Sequence, residues 1–473
     1  MKSLSRHLLA SAIVTALSFS HLVQAEDSIQ QLASQLAEQA QASSLGYEIV
    51  ESLTVEVGPR LPGSEADTRA VAWAEAKLKQ LGFDRVYKEP VTVPVWLRGD
   101  AQANITSPFP QKMVITALGG SVATPEQGIQ AEIIRFASLD ELKAADMAQV
   151  QGKIVLIDHK TERAKTGAGY GKSVPGRSKG AIVAAEKGAL AVIIRSIGTD
   201  SDRMAHTGMM RYQDGVNKIP AAAISNPDAD LIEAMLKRDP KVVLSLKLSP
   251  QSQGEATSYN VIAEVTGSSK ADEIVLIGAH LDSWDEGTGA IDDGAGVAIV
   301  TAAGKLIQDL PRKPARTVRV VLYAAEELGL IGGKAYAKAH AAEMDKHYIA
   351  AESDFGAGRI YQLDWKVNDK ALPQVLELSA EMAKIGVAAG NNQASGGPDV
   401  SMLPELGVPV ASLRQDGSDY FDFHHTPNDT LDKIDPKALA QNVAAYAQFA
   451  YLMANSDIEL RPIPAAKNKV VQK

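Results

Sequence analysis

The sequence predicts an α/β protein: a mainly parallel twisted sheet with helices on both faces, plus a smaller inserted domain. From residue 259 onward, short apolar runs alternate with helical segments, which is typical of strand–helix–strand units. Aromatic residues make up 5% of the chain and apolar residues 45%, a composition that favours layered α/β packing over an all-β sandwich. With 473 residues, the chain is long enough for two domains with full cores.

Residues 26–110 are predicted to form the first part of the larger domain. An Ala/Gln-rich helical stretch and a turn-rich loop precede an amphipathic helix that begins near Ser64. We expect residues 83–96 to form a pair of strands at a sheet edge. Pro90 and Pro94 interrupt this segment, and a proline cannot donate a hydrogen bond to a neighbouring strand.

Residues 111–250 have a different pattern and are predicted to be the inserted domain. Short apolar strands, such as 153–157 and 191–194, alternate with short helices, such as 178–187. No cluster of acids and histidines occurs in this stretch. The sequence therefore indicates a separate module that interrupts the larger domain.

Residues 251–460 are predicted to complete the larger domain, followed by a C-terminal tail at 461–473. The alternation is clearest here, and parallel strands place their carboxyl ends at one edge of the sheet, where ligands bind. The predicted strands and helices are, in chain order, 273–279, 294–310, 317–325, 329–344, 348–352 and 372–385.

Acids and histidines follow these strands directly, and together they predict a hydrolytic site for two metal ions. Each has an ordinary alternative, because aspartates cap helices and glutamates favour a helix's first turn. Adjacent glutamates after an apolar strand repel each other, however, unless a cation compensates. Zinc favours imidazole and carboxylate ligands, and catalytic sites keep one position open for water. The candidates are His280, Asp282, Asp292, Asp293, Glu326, Glu327, Asp354, His424 and His425.

Five short segments contain these candidates and carry a resemblance to a known family: 279–283, 289–294, 325–329, 352–354 and 425–430. In this order they resemble the metal motifs of the zinc exopeptidases that include bacterial leucyl aminopeptidases. Within that family the likeness is strongest to the carboxypeptidase Q group. The resemblance implies a zinc exopeptidase-like α/β fold for the larger domain.

The inserted domain carries a second resemblance. Its segments 152–155, 188–189 and 219–221 are similar to parts of the protease-associated domain that such enzymes carry as an insert. The two resemblances together cover nearly the whole chain after residue 25.

The family resemblance implies a metal-binding role for five residues and a cofactor of two Zn²⁺ ions. His280 and Asp354 would bind one zinc ion, and Glu327 and His425 would bind the other. Asp292 would bridge the two ions, because it occupies the bridging position of its motif.

The same resemblance implies roles for residues around the metals. Glu326 would be the general base and Asp282 would orient a ligand histidine, an arrangement that metal-bound histidines commonly require. His424 would donate a hydrogen bond to the developing oxyanion. Asp293 is the second choice for the bridge, and His206 of the inserted domain either reaches the cleft or lies in a solvent-facing loop.

The function implied is a dizinc exopeptidase that hydrolyses dipeptides or short peptides with a metal-bridging water and a glutamate base. Two alternatives stay open: a carboxypeptidase of the same fold that acts at the C-terminus, and a non-catalytic peptide-binding protein. The formal charge of −9 argues against a nucleic-acid partner, since no basic domain is present to neutralise phosphates. The resemblance also leaves a homodimer open.

Residues 1–25 have the pattern of an export signal. Lys2 and Arg6 precede a mostly apolar stretch at 8–19, and Val23–Ala25 offers small residues at a cleavage position. The apolar stretch is shorter than the ~20 residues that a membrane span needs, so stable membrane insertion is not expected. The signal pattern predicts an exported protein of the periplasm or the medium. The chain has no cysteine and so forms no disulfide, and we expect its core to stabilise it there.

The export signal gives a direct prediction. N-terminal sequencing of the natively produced protein should begin at Glu26, because cleavage is expected after Ala25. A retained Met1 would contradict the export signal.

Overall fold

The computed structural model describes residues 28–464. The predicted export signal, and the part of the tail after residue 464, lie outside the described residues. The helices are α1 (Ile29–Ala42), α2 (Leu45–Glu56), α3 (Glu65–Gln80), α4 (Leu139–Ala144), α5 (Met147–Val150), α6 (Ala168–Glu186), α7 (Asn226–Leu236), α8 (Ala295–Gln308), α9 (Ile331–Ala339), α10 (Leu372–Leu378), α11 (Tyr420–Phe423) and α12 (Pro436–Asn455).

Sixteen strands form two sheets within the described part of the chain. The strands are β1 (Arg85–Leu97), β2 (Ala101–Ser107), β3 (Gln111–Met113), β4 (Ile115–Ala117), β5 (Ile129–Phe136), β6 (Ile154–Ile157), β7 (Ala191–Arg195), β8 (Ala221–Ile224), β9 (Val243–Leu248), β10 (Gln251–Val265), β11 (Lys270–His280), β12 (Arg316–Tyr323), β13 (His347–Glu352), β14 (Ile360–Lys366), β15 (Ala388–Ala389) and β16 (Val410–Gln415).

The first sheet has a parallel centre and antiparallel flanks. Its eight strands lie in the order β1-β10-β12-β11-β13-β16-β14-β15. Strands β12, β11, β13 and β16 run parallel, whereas β10 pairs antiparallel with β12 and β14 pairs antiparallel with β16. The α/β class is confirmed, and the expected parallel arrangement describes the centre of the sheet rather than its edges.

The expected pair of strands at residues 83–96 is wrong. This segment forms the single strand β1, which lies at the sheet edge and pairs antiparallel with β10. Pro90 lies opposite Tyr259 and Pro94 lies opposite Glu255. An edge strand tolerates both prolines because its outer side has no neighbour to receive a hydrogen bond.

Both faces of the first sheet are covered by helices. Successive side chains of a strand point to opposite faces, and β11 shows this directly. Val275 and Ile277 pack with residues of α8 and α12, whereas Ile274 and Leu276 pack with Tyr336 of α9. A strand that is buried on both faces appears in the sequence as a continuous apolar run. For this reason the sequence could predict that helices cover both faces of the sheet.

The second sheet belongs to the insert. The chain leaves the first sheet after β1 and returns in β10, beside the strand it left. Between them, strands are ordered β3-β2-β9-β5-β6-β7-β8-β4, with β5 to β8 parallel. Residues of α7 pack on one face of this sheet and residues of α6 on the other.

Helix α6 is longer than the sequence predicts. It begins at Ala168 instead of residue 178 and includes Pro175 and Gly176. Glycine and proline lower intrinsic helix stability, so the pattern indicated a later start. Burial of Ser173 and Arg177 shows that tertiary packing stabilises these first turns. Among all helices of residues 28–464, none is long and apolar enough to cross a membrane.

Candidate metal centre

Three neighbouring strands end at one edge of the first sheet, and each has a predicted metal ligand at its last residue or shortly after it. His280 is the last residue of β11. Glu327 follows the end of β12, and Asp354 follows the end of β13. Because β12, β11 and β13 are parallel neighbours, their carboxyl ends bring residues that are distant in sequence to the same place.

Asp292 lies between two histidines at this edge. One carboxylate oxygen, Oδ1, is 3.1 Å from His280 Nε2, and the other, Oδ2, is 3.3 Å from His425 Nε2. Asp354 Oδ1 is 3.6 Å from His280 Nε2, and Glu327 Oε2 is 3.1 Å from His425 Nε2. The five predicted ligands therefore form two groups that share Asp292.

Asp293 points its carboxylate in a different direction. Its Oδ2 accepts a hydrogen bond from the backbone N–H of His280 (3.1 Å), and its Oδ1 accepts one from Gly296 in the first turn of α8 (3.0 Å). The side chain thus joins the end of β11 to the start of α8. Asp292, rather than its neighbour, lies between the histidines.

Asp282 contacts the backbone of Glu326 and Glu327 as well as the predicted ligand His280. Its Oδ1 is 3.5 Å from His280 Nδ1, and its main-chain oxygen is nearer to the same nitrogen, at 3.1 Å. Its carboxylate also accepts hydrogen bonds from the backbone N–H groups of Glu326 (3.0 Å) and Glu327 (3.2 Å). Asp282 therefore positions the loop that carries the predicted base, in addition to His280.

Asp429 fixes the backbone at the shared carboxylate. Its Oδ1 accepts from Ile291 N–H at 2.6 Å, and its Oδ2 accepts from Asp292 N–H at 3.2 Å. Burial, together with the charge of Asp292, raises the pKa of Asp429 to about 7. The residue lies within the last of the five sequence segments, but its contacts could not be predicted from that position.

Arg60 was missed in the sequence, where it lies in the turn-rich loop before α3. It is fully buried, and its Nε donates to Leu281 O at 2.5 Å. Its Nη2 donates to Gly289 O and its Nη1 to Thr288 O, both at 2.8 Å. One guanidinium thereby joins the loop after His280 to the loop before Asp292, so it positions ligands on both.

The inserted domain contacts the segment His424–His425. His206 Nδ1 donates to His424 O at 2.8 Å, and Thr207 N–H donates to His425 O at 3.0 Å. His425 Nδ1 donates in turn to Thr207 O at 3.2 Å, the kind of outer partner that orients a metal-bound imidazole. His206 is 1% exposed and pairs with Asp200, so it does not lie in a solvent-facing loop.

His424 is buried and stacks on His425, with ring centroids 3.5 Å apart. Its Nε2 is 3.5 Å from Asp292 Oδ2, and its Nδ1 has no hydrogen-bond partner. Burial, and then the charge of His425, hold the pKa of His424 well below its ordinary value. The ring is therefore neutral near pH 7 and carries one N–H that can donate.

A cavity of about 700 Å³ lies between the two domains. Asp292, Glu326, Glu327 and Asp354 line it from the larger domain, and α6 lines it from the insert. Burial raises the pKa of Glu326 well above its ordinary value; His280 opposes the shift, whereas the charges of Asp354 and Glu327 add to it. A carboxyl group with a raised pKa is suited to accept a proton near neutral pH.

The buried donor set fits metal ions. Carboxylates outnumber the histidines and the buried Arg60 around them, and buried charges need a compensating partner. Oxygen Oε1 of Glu327 is buried and has no hydrogen-bond partner, although Oε2 faces His425. Within residues 28–464, the non-glycine residues with positive φ are Ala325, Leu330 and His425. Ala325 directly precedes Glu326, and His425 is itself a predicted ligand. Strained backbone of this kind commonly occurs at functional sites.

Comparisons with known proteins identify the family. Residues 260–450 match peptidase family M28, and residues 115–232 match the PA domain. Carboxypeptidase Q of Mus musculus is 38% identical over 411 residues, which are 87% of this chain and 86% of that protein. The chain belongs to peptidase family M28. This M28 chain is therefore a metallopeptidase with an inserted PA domain, and both resemblances inferred from the sequence are confirmed.

Solved structures of family members share the fold. A peptidase M28 precursor from Shewanella amazonensis is 72% identical, with a TM-score of 0.92, covering 93% of this chain and 99% of that one. An aminopeptidase from Aneurinibacillus sp. strain AM-1 is 25% identical, with a TM-score of 0.62, covering 92% and 98%. The M28 chain is thus similar both to a protein named carboxypeptidase Q and to an aminopeptidase.

Proposed function

We propose that this M28 peptidase is a dizinc exopeptidase that hydrolyses dipeptides or short peptides. The observation that carries the proposal is the position of Asp292, whose two carboxylate oxygens face His280 and His425 separately. A carboxylate shared in this way suits a bridge between two ions. Imidazole and carboxylate groups are ligands that zinc prefers.

The ligands divide into two groups. His280 and Asp354 would hold one zinc ion, Glu327 and His425 the other, and Asp292 both. When bound, the zinc ions supply a Lewis acid for the peptide carbonyl and lower the pKa of the attacking water. The remaining chemistry belongs to the protein's own side chains.

Glu326 is the general base in this proposal. Its carboxylate takes a proton from the attacking water while the new C–O bond forms at the peptide carbonyl. The same proton passes to the amine nitrogen as the C–N bond breaks, which releases the amino product. Asp282 supports this role, because its carboxylate holds the backbone of Glu326.

His424 is the donor to the oxyanion in this proposal. It lines the cavity, it is neutral near pH 7, and its Nδ1 has no partner in the protein. A hydrogen-bond donor preorganised in a buried site stabilises the charge that develops in the transition state.

The proposed substrates have a free amino end, and the similarity to an aminopeptidase supports this direction of attack. The carboxylates on one side of the cavity do not decide it, because Asp292, Glu327 and Asp354 would be zinc ligands whose charges the bound ions balance. We therefore expect an aminopeptidase or dipeptidase rather than an enzyme that acts at the C-terminus of long chains.

The test combines metal content with two substrates. We expect two zinc ions per chain, measured by inductively coupled plasma mass spectrometry, and hydrolysis of a free dipeptide. The same dipeptide blocked at its amino end should resist hydrolysis, because an acyl group removes the positive charge. Cleavage of both would contradict attack from the amino end and would favour a carboxypeptidase, and a chain without tightly held metal would contradict the dizinc centre.

A further inference from the structure

Arg177 faces the cavity from the inserted domain without an acidic partner. It lies on α6, and its side chain is 8% exposed. Its Nη2 donates to Tyr170 Oη at 2.8 Å, and its Nη1 to Thr207 O at 3.4 Å. Its Nε is buried and has no hydrogen-bond partner. Among residues 28–464, no carboxylate lies within ion-pair distance of this guanidinium.

A buried guanidinium in this state is costly to maintain. Arginine stays charged under all ordinary conditions, and removal of a charge from water costs several kcal/mol unless a counter-charge and hydrogen bonds compensate. Tyr170 and Thr207 supply neutral acceptors only. A carboxylate that enters with the substrate would supply the missing counter-charge.

The surrounding backbone leaves room for this side chain. Gly208 has a φ of +132°, and a Cβ atom at this position would lie 2.2 Å from Arg177 Nη1. Any other residue at position 208 would displace the guanidinium. Tyr170 and Arg177 are seven residues apart on α6 and so lie on one helix face, and both line the cavity.

The wall of the cavity that the insert forms carries positive charge. It presents Arg177, and the exposed Arg211 lines the same cavity. A peptide is therefore favoured with its carboxylate towards Arg177 and its scissile bond towards the proposed metal centre. A volume of about 700 Å³ suits a small ligand, and two extended residues span only about 7 Å.

We propose that Arg177 binds the C-terminal carboxylate of the substrate, which makes this peptidase selective for dipeptides. Arginine pairs with carboxylates through two parallel N–H groups, which adds both affinity and direction. The assignment rests on the proposed exopeptidase function and names the group that limits substrate length. An acidic side chain in the second residue offers the same chemistry, so the test must separate the two.

The first arm uses the wild-type enzyme and three substrates: alanyl-leucine, alanyl-leucine amide, and alanyl-glutamate with its α-carboxylate amidated. We expect kcat/KM for alanyl-leucine to exceed that for its amide by about 10- to 100-fold, the range for a hydrogen-bonded charged group. Equal hydrolysis of acid and amide would overturn the proposal. Efficient hydrolysis of the amidated alanyl-glutamate would assign Arg177 to an acidic side chain and would also overturn it.

The second arm changes the residue. In Arg177→Gln we expect the preference for alanyl-leucine over its amide to disappear, mainly through KM, with unchanged metal content. Arg177→Lys should restore part of the preference, because it keeps the charge but loses the two-pronged geometry. Arg238→Gln, at an exposed arginine of the same domain, should behave as wild type. An equal loss on acid and amide in Arg177→Gln would indicate a structural role and contradict the proposal.

Binding separates this assignment from the proposed function. Calorimetry on Glu326→Gln measures the affinity for alanyl-leucine and its amide without turnover. Tighter binding of the acid, lost on adding Arg177→Gln, would support the assignment even if the wild-type enzyme proved inactive on dipeptides. Equal binding of the acid and the amide would contradict the assignment. The comparison of substrates on the wild-type enzyme does not depend on whether any variant folds.

Discussion

Glu326→Gln is expected to lower kcat for dipeptide hydrolysis by about two to four orders of magnitude, the usual contribution of a general base. Glutamine keeps the size of the side chain but cannot accept the proton. The backbone hydrogen bond from residue 326 to Asp282 does not depend on the side chain, so the loop should keep its position. Metal content should therefore remain near the wild-type value.

The measurement is steady-state kinetics on a free dipeptide, with metal content determined on the same preparation. Glu405→Gln is the matched control, because Glu405 is exposed and does not line the cavity. It should retain wild-type turnover. Normal turnover in Glu326→Gln would remove this residue from the mechanism, whereas lost metal would show that it supports the ligands instead.

The centre of the fold could be predicted from the sequence because its signals are local. Strands such as β11 and β12 are continuous apolar runs, and a parallel sheet with covered faces is the arrangement that buries them. The edges could not be predicted in the same way. The partner of β1 is β10, more than 150 residues later in the chain, and a pattern of alternating residues and prolines does not identify a distant partner.

The candidate site shows the same division. His280, Glu327 and Asp354 could be proposed because each directly follows an apolar strand, and the order of strands then brought them together. Arg60 has no such signal, since its contact with Leu281 joins residues 221 positions apart. Arg177 and Thr207 belong to an insert that contained no cluster of acids and histidines. Their relation to the site depends on how two domains pack, which is a property of the tertiary structure.

The choice between Asp292 and Asp293 illustrates what geometry adds. Two adjacent aspartates have the same side chain, and only the position in the motif favoured Asp292 as the bridge. In the structure, Asp293 is occupied by the backbone N–H groups of His280 and Gly296, so both of its oxygens already have partners. Asp292 has its oxygens towards the two histidines. We therefore propose Asp292 as the bridge, because its oxygens, unlike those of Asp293, face the two histidines.

Asp292→Asn is expected to lower zinc content below two ions per chain and to abolish dipeptide hydrolysis. The substitution removes a negative charge and replaces one ligand oxygen by an amide NH₂, which cannot coordinate a metal. Loss of an outer partner alone typically costs 10–100-fold in metal affinity or activity, so loss of a shared ligand should exceed about 100-fold. Zinc titration with a competing chelator measures the change.

Asp293→Asn is the matched control for this prediction. The two residues are neighbours and both are buried, so general disturbance of the loop should affect both variants. Asparagine at position 293 can still accept one of the two backbone hydrogen bonds, and we expect two zinc ions with a stability loss of about 0.5–2 kcal/mol, the range for a weakened helix cap. If Asp293→Asn lost zinc while Asp292→Asn kept it, the bridge would be Asp293. If both variants kept two ions, neither aspartate would bridge, and the two ligand groups would have to bind their ions independently.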